Sequence, residues 1–145
     1  MKGKTIGNLI LMTLVCVVIF IAFMALRPAR ALDAGDVIAA MPDYKIDQME
    51  KEGIALAAKR CANEWGTDYG MQLYCRNKEA TAARTFYATS RALKAAMTDP
   101  SKEKDARVLS RIMHRCFEEW PAEYSMVLYC FKKGANAYKT LQEND

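Results

Sequence analysis

Histidine is nearly absent: His114 is the only one in 145 residues. One imidazole cannot build a His-based triad, a di-histidine metal site or a confident haem-attachment C-x-x-C-H. The chain also lacks a glycine-rich phosphate loop, a G-x-S-x-G elbow and an H-E-x-x-H pair. No segment sustains an alternation of apolar and polar residues, so no sheet is expected. Net charge is missing from most of the chain as well. Of the 21 basic residues, Lys2, Lys4, Arg27 and Arg30 precede Leu32, while all 17 acidic residues follow it, which leaves the remainder neutral. A neutral domain has no counterion-release drive toward DNA or RNA. These absences argue against an enzyme and against a nucleic-acid partner. No catalytic residue, metal site or cofactor is expected.

Polar side chains are scarce in residues 9–26, LILMTLVCVVIFIAFMAL, where Thr13 is the only one. At ~1.5 Å per residue this run covers roughly 27 Å, close to the ~30 Å hydrocarbon thickness of a bilayer. Cys16 inside it reads as a small hydrophobe. Basic residues flank the run on both sides, and the balance leans slightly toward a cytoplasmic N-terminus. Ala29-Arg30-Ala31 also fits a small-x-small cleavage site. The run is longer than the ~7–15 residues of a signal-peptide core, however, and two arginines crowd the cleavage region. The expectation is therefore a single-pass transmembrane anchor over residues 1–31, with a signal cleaved after Ala31 as the alternative. Residues 32–47, which contain Gly35 and Pro42, read as a linker with a helical turn near 36–41.

The rest is one unit written twice. Residues 59–86 and 114–141, offset by 55, are identical at 13 of 28 positions, including two cysteines, one tryptophan and two tyrosines in each copy. Each copy reads as two helices around a break. Before the break, Ile54, Ala57 and Cys61 lie at i, i+3, i+7, and Leu109, Ile112 and Cys116 repeat that spacing. The breaks are Trp65-Gly66-Thr67-Asp68 and Trp120-Pro121-Ala122-Glu123. Glycine ends a helix readily, proline suits the first helical position, and Asp68 and Glu123 suit a first turn. After the break, Cys75, Ala82, Phe86, Leu93 and Met97 form a seam, echoed by Cys130, Ala137 and Leu141. Pro100 separates the copies, and Ser101 is suited to cap the helix that follows. The expected fold is all-α: two tandem helical hairpins, 48–100 and 101–145, with helices near 47–63, 68–97, 102–118 and 122–142.

Four of the five cysteines form C-x13-C twice, and the midpoint of each pair falls at a break, residues 68 and 123. In an antiparallel hairpin, residues equidistant from the turn face each other. Cys61 is therefore placed to bond Cys75, and Cys116 to bond Cys130. Each bridge closes a loop of about 15 residues, worth roughly 3 kcal/mol in the chain-entropy model. Zinc is disfavoured because its ligands usually come in C-x2–4-C knuckles. Redox catalysis is disfavoured because Cys61 and Cys116 lie near helix C-termini, where a thiolate is not stabilised. Reduced packing cysteines in a cytoplasmic domain are the remaining alternative. Disulfides need an oxidising compartment, so the helical domain is expected outside the cytoplasm.

His114 corresponds to Lys59 in the first copy, which suggests a solvent-facing position near a helix C-terminus. Met71, Met113 and Met126, which with His114 could suggest copper, read as core. The strongest repeated aromatic feature is Trp65, Tyr69 and Tyr74 with Trp120, Tyr124 and Tyr129. Its plain reading is a cluster packed over each disulfide; its sharper reading is a docking patch, since Trp, Tyr, Met and Arg are enriched at interfaces. The pattern Cys-x3-Trp-x3-Tyr-x-Met-x2-Tyr-Cys, at Cys61–Cys75 and again at Cys116–Cys130, resembles a motif of small bacterial envelope proteins. The resemblance implies an exported bacterial helical module and brings no activity with it. The combined expectation is a non-enzymatic accessory or scaffold protein of the bacterial inner membrane. Its N-terminus would be cytoplasmic and its helical domain periplasmic, and its partners would be membrane lipid and a larger membrane or envelope complex. The alternatives are a secreted binding module or inhibitor and a periplasmic thiol- or metal-handling factor.

Overall fold

Apolar stripes at helical spacing become four helices in the computed structural model, which describes residue 37 and residues 39–144. They are α1 (Asp43–Trp65), α2 (Tyr69–Ala96), α3 (Glu103–Glu119) and α4 (Tyr124–Glu143). Val37, Ala39 and Ala40 are also helical, and no strand occurs among the described residues. No helix among them is long and apolar enough to cross a membrane. The expected anchor, residues 9–26, lies outside the described residues, as do Cys16 and the cleavage site at Ala31. The described residues belong to one compact unit, Leu32–Asp145.

α1 and α2 form hairpin 1, and α3 and α4 form hairpin 2. Gly66 ends α1 with a left-handed φ of 48°, its N–H donating to the Ala62 carbonyl at 3.1 Å. Asp68 then caps α2 by accepting from Met71 N at 2.9 Å. The second break is built differently. Pro121 stands where Gly66 does, and its ring holds φ near −65°. The left-handed conformation moves one residue on, to Ala122 at φ 61°. α4 still begins at Tyr124, the counterpart of Tyr69, and Pro121 sits in the loop rather than in the first helical position. Ser101 does not cap α3 either. Its N–H and hydroxyl both donate to Asp99 Oδ1, at 3.0 and 2.7 Å, so the aspartate organises the turn between the hairpins.

α1 starts at Asp43, inside the span expected to be linker. Its first turns are pinned to the end of α2. Lys94 Nζ donates to Asp43 Oδ1 and to the Met41 carbonyl, both at 2.6 Å, and Arg91 Nη2 reaches Asp47 Oδ1 at 2.6 Å and Glu50 Oε2 at 2.7 Å. These ions come from residues some forty to fifty positions apart, which no local pattern reveals.

The two hairpins share one core. Ile46 and Ala57 of α1, Phe86, Tyr87 and Leu93 of α2, Met113 and Cys116 of α3, and Val127 of α4 are buried in a single cluster. Phe86 stacks on Phe117 with ring centroids 5.4 Å apart, and Ser90 Oγ lies 3.4 Å from Met113 Sδ. The expected seam of α2 is buried at Ala82, Phe86, Leu93 and Met97. The echo in α4 is not: Ala137 and Leu141 are exposed.

Candidate interaction site

The closed end of each hairpin is fastened by a disulfide. Cys61 bonds Cys75 with Cα atoms 5.8 Å apart, and Cys116 bonds Cys130 with Cα atoms 5.7 Å apart. Cys61 and Cys116 are fully buried, which leaves neither sulfur of those residues open to solvent. Sequence equivalence ends at this point, because the two closed ends have different surroundings.

In hairpin 2 the closed end is a plug. The Tyr124 ring at the start of α4 enters hairpin 1, where only 2% of the residue remains exposed. Its hydroxyl lies against Gly53 of α1 and shares a 3.1 Å hydrogen bond with the Tyr87 hydroxyl of α2. The absence of a side chain at Gly53 makes the notch: a Cβ there would overlap the Tyr124 hydroxyl and come within 3.1 Å of Tyr87 Oη. Burial pushes the phenol pKa of both tyrosines up. Their mutual hydrogen bond adds to that rise at Tyr87 and opposes it at Tyr124.

Beside the notch, Glu79 of α2 serves α4 as a cap supplied from outside the helix. Glu123 makes no side-chain cap hydrogen bond. Instead Glu79 Oε2 accepts from Ser125 N at 3.2 Å, and Glu79 Oε1 accepts from Ser125 Oγ at 2.6 Å. A carboxylate at a helix N-terminus meets unpaired N–H groups and the favourable end of the macrodipole. Glu79 is 3% exposed, and Arg60 Nη2 lies 3.6 Å from it while Arg60 Nη1 holds Glu64 at 2.9 Å. These groups, with Trp65, Tyr74 and Lys78, line a cleft of about 240 Å³ between the hairpins.

In hairpin 1 the equivalent closed end borders that cleft through Trp65 and Tyr74 and is otherwise largely exposed among the described residues. Tyr69, the counterpart of Tyr124, is 77% exposed, and Leu73 and Tyr74 beside it on α2 are 61% and 62% exposed. Leu128, the counterpart of Leu73, packs on the core. Among the six aromatic residues singled out from sequence, Tyr69, Tyr74 and Tyr129 are therefore on the surface. Trp65 and Trp120 are half-buried, and Tyr124 belongs to the core rather than to any docking patch. Lys133 sits over the Tyr129 ring at 4.9 Å. The chain matches no protein family, no curated protein and no solved structure in the comparisons with known proteins.

Gly53, Glu79 and Arg60 are the residues of the hairpin junction that motif reading missed. Two of them carry a signal nonetheless. At the offset of 55, Gly53 faces Val108 and Glu79 faces Gly134, so the copies part company where hairpin 2 docks. Gly134 has its own steric reason: a Cβ there would come within 2.5 Å of Ile112 Cγ2, across hairpin 2. His114 is half-exposed on α3, with Nδ1 3.4 Å from Glu118. Among the described residues no cluster of three or more His, Cys, Asp or Glu side chains is arranged to hold a metal ion.

Proposed function

We propose that this chain is a non-enzymatic accessory protein. Its disulfide-fastened helical domain is held at a membrane by residues 9–26 and docks a larger membrane or envelope complex through the closed end of hairpin 1. One observation carries the reading. The repeated closed end is buried in hairpin 2, where Tyr124 is 2% exposed, and open in hairpin 1, where Tyr69 is 77% exposed. A tyrosine, a leucine and a second tyrosine on neighbouring turns form the kind of rigid aromatic patch that supplies interface hot spots. The partner this patch suits is a pair of packed helices with a small residue where the tyrosine ring lands, as Gly53 offers Tyr124 within the chain.

The bacterial inner membrane, with the domain on its periplasmic side, is the location that fits this role. The apolar run supports an anchor, and the two disulfides favour an oxidising compartment. The test is site-specific photo-crosslinking in native membranes, with the reactive residue at position 69 or 73 and a control at exposed Ala92. A defined adduct at 69 and 73 that is absent at 92, and that the remaining substitution of the pair (Leu73→Ser with the reactive residue at 69, Tyr69→Ser with it at 73) reduces about tenfold, is expected. Tyr69→Ser and Leu73→Ser each shift stability by less than about 0.5 kcal/mol, because both side chains are exposed. Equal labelling at all three positions, or no adduct at any, overturns the reading.

A further inference from the structure

At the other end of the domain lies a feature that the docking surface does not use. Between the first turns of α1, the second half of α2 and the second half of α3 is a cavity of about 300 Å³, partly open to solvent. Its walls include Met41, Ile46, Met49, Phe86, Met113 and Phe117, and the few polar atoms among them are already engaged. Tyr87 Oη is bonded to Tyr124, and Ser90 Oγ donates to the Phe86 carbonyl at 3.0 Å and lies against Met113 Sδ. His114 also borders the space and is half-exposed.

We propose that this cavity is a binding site for a single hydrocarbon chain, the acyl tail of a fatty acid or lipid. Packed interiors hold few voids larger than a water molecule, and an enclosed apolar cavity of ~150 Å³ already stays dry and takes up benzene. A space of about 300 Å³ reaches the lower end of the range for ligand pockets. With the Tyr87 and Ser90 hydroxyls engaged, the wall apart from His114 recognises its ligand by apolar contact. Three methionines in that wall fit a ligand without fixed shape, because the unbranched thioether chain adapts its rotamers. The cavity is partly open to solvent, and half-exposed His114 on its border offers an amphiphile's polar end a place in water. The wall formed by α1 is firm where it needs to be: Lys94 holds the Met41 carbonyl, and Arg91 holds Asp47 and Glu50.

The source of the chain is either free fatty acid or bilayer lipid. Val37, which also lines the cavity, follows the apolar run of residues 9–26 by only eleven positions. Only the bilayer source rests on reading that run as an anchor; the cavity is independent of the surface at Tyr69.

The experiment uses the full chain with palmitic acid carrying a tail diazirine, added to protein in amphipathic polymer without lipid. A second arm uses nanodiscs of phosphatidylethanolamine and phosphatidylglycerol containing a phospholipid with the same diazirine tail. Adducts on the peptides bearing Met41, Met49 and Met113 are expected. Their appearance in the polymer arm alone identifies free fatty acid as the source. Their appearance in the nanodisc arm alone identifies bilayer lipid, and their appearance in both identifies a site open to either. Met49→Trp fills the cavity from α1 and lowers labelling at Met113 about tenfold without lowering the thermal midpoint. Met41→Trp repeats the block should Met49→Trp fail to fold. Absence of adducts at all three methionines in both arms overturns the assignment. Labelling that neither folded variant reduces overturns it too.

Discussion

Replacing Gly53 by alanine is the sharpest probe of how the hairpins are joined. In an isolated helix the change helps by about 1 kcal/mol, because alanine is the better helix former. Here the new methyl would overlap the Tyr124 hydroxyl and lie 2.9 Å from its Cζ and 3.1 Å from Tyr87 Oη. Neither ring has room to swing away, since Tyr124 and Tyr87 are 2% and 4% exposed. Overpacking a filled site costs about 1–3 kcal/mol. Parting the two hydroxyls adds about 1–3 kcal/mol for polar groups left buried and unpaired. Set against the gain in propensity, the expected net loss is about 2–3 kcal/mol, or roughly 10 °C in the thermal midpoint of a domain this size. The assay is thermal and urea unfolding of residues 32–145 with disulfides intact, followed by circular dichroism. Tyr124→Phe alone costs about 1 kcal/mol, since it removes one hydroxyl and strands its partner. The double variant G53A/Y124F is expected to lose at least ~1 kcal/mol less than the sum of the singles, because the methyl enters space that the hydroxyl has left. A Gly53→Ala protein that melts at or above the wild-type temperature, or a strictly additive double variant, would refute the notch.

Glu79 permits a graded test: Glu79→Ala strips the cap from α4 and leaves Arg60 facing a void, at a cost of about 3 kcal/mol. Glu79→Gln keeps an acceptor for Ser125 and loses about half as much; equal losses in urea melts would show that hydrogen bonding to α4 is not what the carboxylate supplies. The tyrosine pair sets an alkaline limit. Because burial raises both phenol pKa values in the folded state, the pair's contribution is complete below pH ~10 and declines above it. Melting midpoints from pH 8 to 11 should fall less steeply in Tyr124→Phe than in wild type, and parallel curves would count against the effect. On the acid side, the Lys94 hydrogen bond lowers the Asp43 pKa, and the Tyr138 hydrogen bond lowers that of Asp105. Their contributions are complete above pH ~4 and are lost as pH falls through the folded values, so Asp43→Asn should flatten the acid limb of the same midpoint curve.

Helix number, the two breaks and the cysteine pairing were legible because each rests on short-range regularity: a 3.6-residue period, a glycine or proline between stripes, and two thiols equidistant from a turn. Tyr124 fits the packed-cluster reading and not the docking patch, for an instructive reason. A duplication predicts equal environments, but two tandem units have a single junction between them, so one copy of a repeated face is covered and the other is left bare. The start of α1 at Asp43 was hidden for a related reason, since its support comes from Lys94 and Arg91 at the far end of α2. The cavity needs three helices to exist and has no linear signature at all. The most useful neglected clue was disagreement between the copies, at Gly53 against Val108 and Glu79 against Gly134. At Gly53 and Glu79 that divergence falls where the halves meet.

Both covalent bridges join cysteines only 14 positions apart, and neither crosses from one half of the domain to the other. A chain emerging amino-terminus first can thus oxidise its earlier pair before the later thiols have appeared, which removes the competition that scrambles interleaved bridges. Until the second half arrives, the vacancy beside Gly53 is a receptor awaiting its own downstream sequence. Since nothing covalent but the 97–102 connector ties the halves, two molecules crowded together could trade them without breaking a single sulfur bond.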